Sequence, residues 1–150
     1  MPIPLNHQLE SYLHEHIPLS VTLGVRTIHA SCNRVVLEAP LQPNINHKQT
    51  AFGGSLHSVA TLACWSLLYL KLKKLPYSSE IVISKSETSY ICPVTTDFIV
   101  ECEFNDQPKW LKFENMLHKK GIARIRLNCK LYQENKLALK YEGEFVAIRK

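Results

Sequence analysis

The sequence predicts an α+β fold in which one antiparallel sheet of about six strands wraps around a single long helix. Three observations predict it. From Phe52 to Leu70 the chain runs 19 residues without Asp, Glu, Lys or Arg. That is too long for a strand, and Gly53, Gly54, Ser55, His57, Ser58, Thr61 and Ser66 within it suit a helix buried nearly all round better than a membrane span. Downstream, four runs carry the two-residue alternation of half-buried strands. Upstream, there is room for one short helix and two strands, so the long helix must serve the whole sheet.

The elements follow in chain order. Leu5 to His16 reads as a helix with Leu9, Tyr12 and Leu13 on one face, Asn6 as N-cap and Pro18 just past its end. Val21, Leu23 and Val25 alternate with polar or small residues, which is strand spacing. Arg34 to Ala39 is a second strand ended by Pro40, and Ser31-Cys32-Asn33 makes the hairpin between the two. A loop over 41–52 contains Pro43 and several amides. The long helix starts at Gly53 or Gly54 and runs to about Lys74, with its C-terminal lysines at the negative end of the macrodipole. Leu75-Pro76 terminates it. Strands follow at about 79–91, 96–104, 121–133 and 136–149. In the third, Ala123, Ile125, Leu127, Cys129 and Leu131 face one way, while Arg124, Arg126, Asn128, Lys130 and Tyr132 face the other. That sheet has one wet face. Glu134-Asn135 turns tightly into the last strand. Ahead of the third strand, Trp110, Phe113 and Leu117 have helical spacing, and Gly121 closes that helix at C′.

The 150 residues suffice for one domain, 1–150, with a core of its own. Hydrophobic content of 45% and charged content of 21% are those of a soluble globular protein. The net charge of +5 is scattered, apart from Lys71, Lys73, Lys74 and the pair Lys119-Lys120. With no arginine-rich block or RNP-like aromatic motif, nucleic acid is not expected as a partner. These lysines read as solvated surface, with contact to a small polyanion such as coenzyme A as the alternative. No His/Cys/Asp/Glu cluster has metal-ligand spacing, so no metal is expected. The five cysteines, Cys32, Cys64, Cys92, Cys102 and Cys129, form no C-x-x-C pair and sit mostly in apolar segments. Without a basic and then apolar leader at the N-terminus, they read as reduced thiols of a cytoplasmic protein.

The segment Asn44-Ile45-Asn46-His47-Lys48-Gln49-Thr50-Ala51-Phe52-Gly53-Gly54-Ser55-Leu56-His57 carries the chemistry. A polar loop, two glycines and a helix start aim backbone N–H groups at an anion or a polarised carbonyl. Each residue also has a purely structural use. The glycines permit close helix–sheet approach, Asn46 suits an Asx-type turn, His47 and His57 can fix loop and core, and Ser58 and Thr61 can bond back to helix carbonyls. Trp65 and Tyr69 read as core.

Several segments carry a family resemblance: Pro43 to Lys48, Thr50 to Leu56, Trp65, Ile81-Val82-Ile83, Tyr90 before Pro93, and the closing Gly143-Glu144-Phe145-Val146-Ala147. Through them the chain resembles, over nearly its whole length, the thioesterase-type domain that some bacteria carry behind an acetyltransferase domain, the YiiD C-terminal type. The resemblance implies the hotdog fold. It also implies hydrolysis of an acyl-CoA or acyl-carrier-protein thioester, with coenzyme A or phosphopantetheine as part of the substrate and no separate cofactor. A homodimer or dimer of dimers is implied too, with the site at the subunit interface.

Phenylacetate-type hotdog thioesterases carry an Asn, then His-Gly-Gly six residues on, then a helical Asp or Glu. In this chain the Asn matches Asn46, and His-Gly-Gly becomes Phe52-Gly53-Gly54. By resemblance, Gly53 offers its N–H to the thioester oxygen and Asn46 positions water or substrate. The acid falls at Thr61, and no Asp or Glu lies between Ala39 and Glu80. Thr has no useful basicity, whereas histidine is the side chain that ordinarily titrates near neutrality, which singles out His47 and His57. A carboxylate would have to come from Glu80, Glu87 or a second subunit. The catalytic candidates are therefore Asn46, Gly53, Thr61 and His47. Phe52, Gly54, Ser55, His57 and Ser58 are the substrate-contact candidates. The missing acid leaves two alternatives open: a non-catalytic acyl-CoA or acyl-chain binding module, and a hotdog hydratase or dehydratase.

Overall fold

The computed structural model describes residues 2–150. The first helix, α1 (Leu5–His16), buries Leu9 and Leu13 as its periodicity predicts. Asn6 does not cap it. The helix begins right after Pro4, so Asn6 already lies in the first turn, and its side chain reaches out to Thr27 O at 3.5 Å.

The strand expected at Val21, Leu23 and Val25 is instead a short helix, α2 (Leu19–Thr22), and a turn. Pro18 presets a helical φ at its start. Ser20 N–H then bonds to Ile17 O at 2.8 Å, and Gly24 at φ 75° swings the chain into the sheet. A Cβ at Gly24 would stand 2.8 Å from the Pro40 ring, so backbone and ring need this glycine twice over. Leu23 and Val25 are buried and Val21 is exposed, so the alternation recorded burial without recording a strand.

Six strands then form one sheet: β1 (Arg26–Ala30), β2 (Arg34–Ala39), β3 (Ser79–Tyr90), β4 (Phe98–Glu103), β5 (Ile122–Gln133) and β6 (Lys136–Arg149), in the order β1-β2-β4-β5-β6-β3. Every pairing is antiparallel. Helix α3 (Gly53–Leu72) crosses the inner face, touching β2, β4, β5, β6 and β3. This is the hotdog arrangement. β5 alternates as its sequence predicts, with Ala123 to Leu131 buried at every second position against α3 and its neighbours. Glu134 and Asn135 both take positive φ, 47° and 66°, as a two-residue hairpin turn requires. Helix α4 (Gln107–Lys120) is capped by Asp106, which accepts from Lys109 N–H at 3.0 Å, and ends at Gly121 with φ 77°.

Lys71 departs from the solvated role expected of it. Its stem is buried at the end of α3, and its ammonium lies 4.6 Å from the Trp110 ring centroid and 5.2 Å from that of Phe104. The ammonium also donates to Cys32 O at 3.2 Å. Burial lowers its pKa from the ordinary lysine value. The contact ties α3, α4 and the β1–β2 hairpin together.

None of the five cysteines is in a disulfide; Cys64, Cys102 and Cys129 are buried. No described helix is long and apolar enough to cross a membrane. β3 ends the sheet and pairs only with β6. Val82 is 48% exposed and Ile83 is 42% exposed along it.

Candidate functional site

The loop ahead of α3 is held from inside by Asn44, which is only 2% exposed. Its side-chain Nδ2 donates to Leu23 O at 2.9 Å and Pro40 O at 2.8 Å, and its main-chain carbonyl accepts from Phe52 N–H at 2.7 Å. The buried side-chain amide thus joins the α2 corner to the end of β2, and the backbone of the same residue holds the residue that precedes the helix. Ile45 and Ala51 bridge across the loop, and Ala51 N–H bonds to Val94 O at 2.8 Å.

Asn46 closes the turn between them. Its Oδ1 accepts from Lys48 N–H at 2.8 Å and Thr50 N–H at 3.2 Å, while its Nδ2 donates to Thr50 Oγ1 at 2.9 Å. This is the Asx-type use of an asparagine. Gln49, at φ 63°, lets the turn close. His47 is exposed on the turn.

α3 opens at Gly53, with Phe52 as its extended N-cap residue. Among the described residues, neither the Gly53 nor the Gly54 N–H has an acceptor. These free donors sit at the positive end of a 20-residue helix. A Cβ at Gly53 would meet Tyr90 Cε1 at 3.4 Å, an ordinary contact, so packing alone does not demand glycine there. A Cβ at Gly54 would stand 2.5 Å from Cε2 of Phe52, whose ring is 57% exposed and folds back over the helix start. Tyr90 OH donates to Gly53 O at 3.0 Å, pinning the first turn to β3. Ser55 stands in that first turn, its N–H bonded to Phe52 O at 2.9 Å. Ser58 Oγ bonds back to Gly54 O at 2.8 Å, the helix-carbonyl contact expected of a mid-helix serine.

One turn beyond Gly53, His57 Nε2 is 3.0 Å from Ser86 Oγ on β3. The His57 ring meets the Tyr141 ring edge-on at 5.5 Å. Thr61 Oγ1 donates to Tyr141 OH at 2.9 Å. Burial pushes the Tyr141 phenol up to about 12, opposed by hydrogen bonds with Thr61 and Ser86. Tyr141 therefore keeps its proton across the physiological range, and its oxygen accepts from Thr61. Room for its ring comes from Gly143, where a Cβ would lie 2.8 Å from Tyr141 OH and 2.7 Å from Cε2 of Phe145. No carboxylate hydrogen-bonds to His57, Thr61, Ser86 or Tyr141 among the described residues. Glu80 pairs with Lys150 at 3.7 Å. Glu87 alternates away from Ser86 and so lies on the opposite face of β3.

His57, Ser58 and Thr61 also line one wall of a cavity of roughly 340 Å³, which continues along Leu62 to Trp65. Trp65 and Tyr69 are half-buried rather than deep core; they stack on each other at 5.2 Å, and Tyr12 stacks on Tyr69 at 4.4 Å.

Residues 6–149 match the model of the family described as “Putative thioesterase (yiiD_Cterm)”. The chain belongs to this family. Among solved structures it is similar to a protein of unknown function from Chlorobaculum tepidum, at 31% identity and a TM-score of 0.90, with 97% of this chain and 95% of that one covered. It is also similar to a “putative thioesterase” from Shewanella oneidensis, at 26% identity and a TM-score of 0.83, covering 96% and 97%. A thioesterase from Haemophilus influenzae shares the fold at 12% identity and a TM-score of 0.76, covering 99% and 93%.

In this YiiD-type chain the expected residues fall into two groups. Gly53, Gly54, His57, Ser58 and Thr61 follow one another along the first turns of α3. Asn46 is hydrogen-bonded within its own turn, and His47 stands exposed beside it. Ser86 and Tyr141 were not among the candidates. One of the two had a signal in the sequence. For Tyr141 it is Gly143, which breaks the run of large residues at Tyr141 and Phe145; strict alternation puts Ser86 opposite Ile81 and Ile83, and only the bulge between Ile83 and Lys85 turns it to their face.

Proposed function

We propose that this protein is a cytoplasmic thioesterase acting on an acyl-CoA or acyl-carrier-protein thioester. The observation that carries the reading is the pair of unpaired N–H groups at Gly53 and Gly54, one helical turn from His57, which itself lines an apolar cavity. In this reading the thioester oxygen takes the place of the missing acceptor, where the helix end stabilises developing negative charge. With Nε2 donating to Ser86, His57 keeps its lone pair on Nδ1. Water adds to the carbonyl carbon as Nδ1 takes its proton. The C–S bond then breaks, and His57 returns the proton to the departing thiolate. Thr61 and Tyr141 hold the water or the carbonyl by hydrogen bonds, in place of the carboxylate that related enzymes have at the position of Thr61.

The proposal includes a homodimer, or a dimer of dimers, formed through the β3 edge. Its support is the unpaired outer edge of this 12-residue strand and the exposure of Val82 and Ile83. A panel of acyl-CoA esters with colorimetric detection of released thiol tests the activity. Turnover by the wild-type protein that falls at least a hundredfold in His57→Ala supports it. Absence of thiol release from every ester overturns it. The lack of a carboxylate beside His57 favours a second reading, a module that binds acyl-CoA without hydrolysis. In that case thermal stabilisation by intact acyl-CoA would persist with no thiol release.

A further inference from the structure

The wall of the cavity opposite His57 and Thr61 is built by Ile17, Leu19, Leu23 and Ser20 at the α1–α2 corner. Three of these four are aliphatic. The fourth, Ser20, is fully buried, and its hydroxyl has no hydrogen-bond partner. The carbonyls around it are already engaged: Ile17 O accepts from Ser20 N–H, Ser20 O from Val25 N–H, and Leu23 O from Asn44 Nδ2. Buried hydroxyls are almost always paired, so one left unpaired against a cavity calls for a partner that is absent from the chain itself. A serine hydroxyl reaches alternative directions by rotation about a single bond.

We infer that this cavity is the acyl pocket and that Ser20 selects acyl groups carrying an oxygen of their own, as a hydroxyl or keto group along the chain. The inference rests on the thioesterase reading for the thioester end of the substrate. It adds the class of acyl group. The aliphatic residues take the methylenes. The roughly 340 Å³ of space holds a short to medium chain, on the order of ten water-sized groups. Ser20 supplies the polar contact on this aliphatic wall; the other polar side chains of the lining, His57, Ser58 and Thr61, are already hydrogen-bonded to Ser86, Gly54 O and Tyr141. A site built to pair with a substrate oxygen discriminates against the analogue that lacks it, because its own polar group is then left buried and unpaired.

The test compares hexanoyl-CoA with hexanoyl-CoA bearing a hydroxyl or keto oxygen at successive chain positions, using wild type and Ser20→Ala. Thiol release gives kcat/KM, and calorimetry with hydrolysis-resistant thioether analogues gives Kd. The wild type is expected to prefer the best oxygenated chain at least tenfold by either measure. Ser20→Ala is expected to lose that preference while keeping its activity on plain hexanoyl-CoA. It is also expected to keep its thermal stability, because the hydroxyl it removes has no partner. A wild-type preference below twofold, or one that survives in Ser20→Ala, overturns the inference. No thiol release alongside an intact, Ser20-dependent preference in Kd overturns the hydrolytic reading alone and leaves the pocket assignment standing.

Discussion

Thr61 donates its hydroxyl proton to the phenol oxygen of Tyr141 across 2.9 Å, joining the central helix to a strand 80 residues later in the chain. By the resemblance to phenylacetate-type thioesterases, Thr61 stands where those enzymes have an Asp or Glu. What the structure has there is a neutral hydroxyl pair. The Tyr141 ring meets His57 edge-on, and Ser86 hydrogen-bonds to both His57 and Tyr141.

Replacing Tyr141 with Phe therefore reduces turnover and leaves the Thr61 hydroxyl without an acceptor. The stability cost is about 1 kcal/mol, read from urea unfolding at neutral pH.

Tyr141 also predicts an alkaline signature. Its folded pKa, about 12, lies above the ordinary value of 10.0. Between these two pH values the unfolded chain has already lost the proton that the folded chain retains. The folded state binds more protons, so stability falls as pH rises through this window. Below pH 10 the contribution is fully present. The loss is on the order of 2 kcal/mol, and it is absent from the unfolding curves of Tyr141→Phe.

Gly53→Ala separates packing from chemistry. The added methyl meets Tyr90 at an ordinary 3.4 Å, so unfolding free energy changes by less than about 1 kcal/mol. The same methyl crowds the approach to the free N–H groups. Thiol release falls by a factor approaching the roughly 10²–10³ that follows loss of an oxyanion donor. A variant equally stable and equally active shows that these amides are not used.

The two loop asparagines differ in kind. Asn44→Ala strips the donors from two carbonyls, Leu23 O and Pro40 O, while the backbone bond to Phe52 N–H remains, and costs about 2 kcal/mol. Asn46→Ala opens only the local turn and costs about 1 kcal/mol. Thr50→Val removes the partner of Asn46 without touching the asparagine. If it reproduces the activity loss of Asn46→Ala, the asparagine acts by shaping the turn; if it leaves activity intact while Asn46→Ala abolishes it, the amide itself meets the substrate.

Much of the architecture was legible before any coordinates. The charge-free run from Phe52 to Leu70 marked the central helix because only a helix enclosed by sheet can dispense with charge over that length. The alternation in β5 and the turn at Glu134-Asn135 marked the hairpin, and Gly121 marked the end of α4, because periodicity and positive φ are local properties. The one element misread, at Val21 to Val25, has buried positions two apart for a non-strand reason. Pro18 starts a helical turn, and Gly24 reverses it.

The site divides along the same line. The sequence by itself determined the loop, the paired glycines, the helix that follows and the absence of an acid between Ala39 and Glu80, since all of these lie within one contiguous stretch. Only the tertiary structure decided what faces them. Ser86 and Tyr141 meet His57 and Thr61 because β3 and β6 are neighbours in the sheet and α3 crosses it. Ser20 reaches the same cavity because Asn44 ties the α2 corner to the loop. Such contacts join residues 21 to 80 positions apart, and their hydrogen bonds exist only once packing has brought the elements together and removed the water that would otherwise satisfy each group.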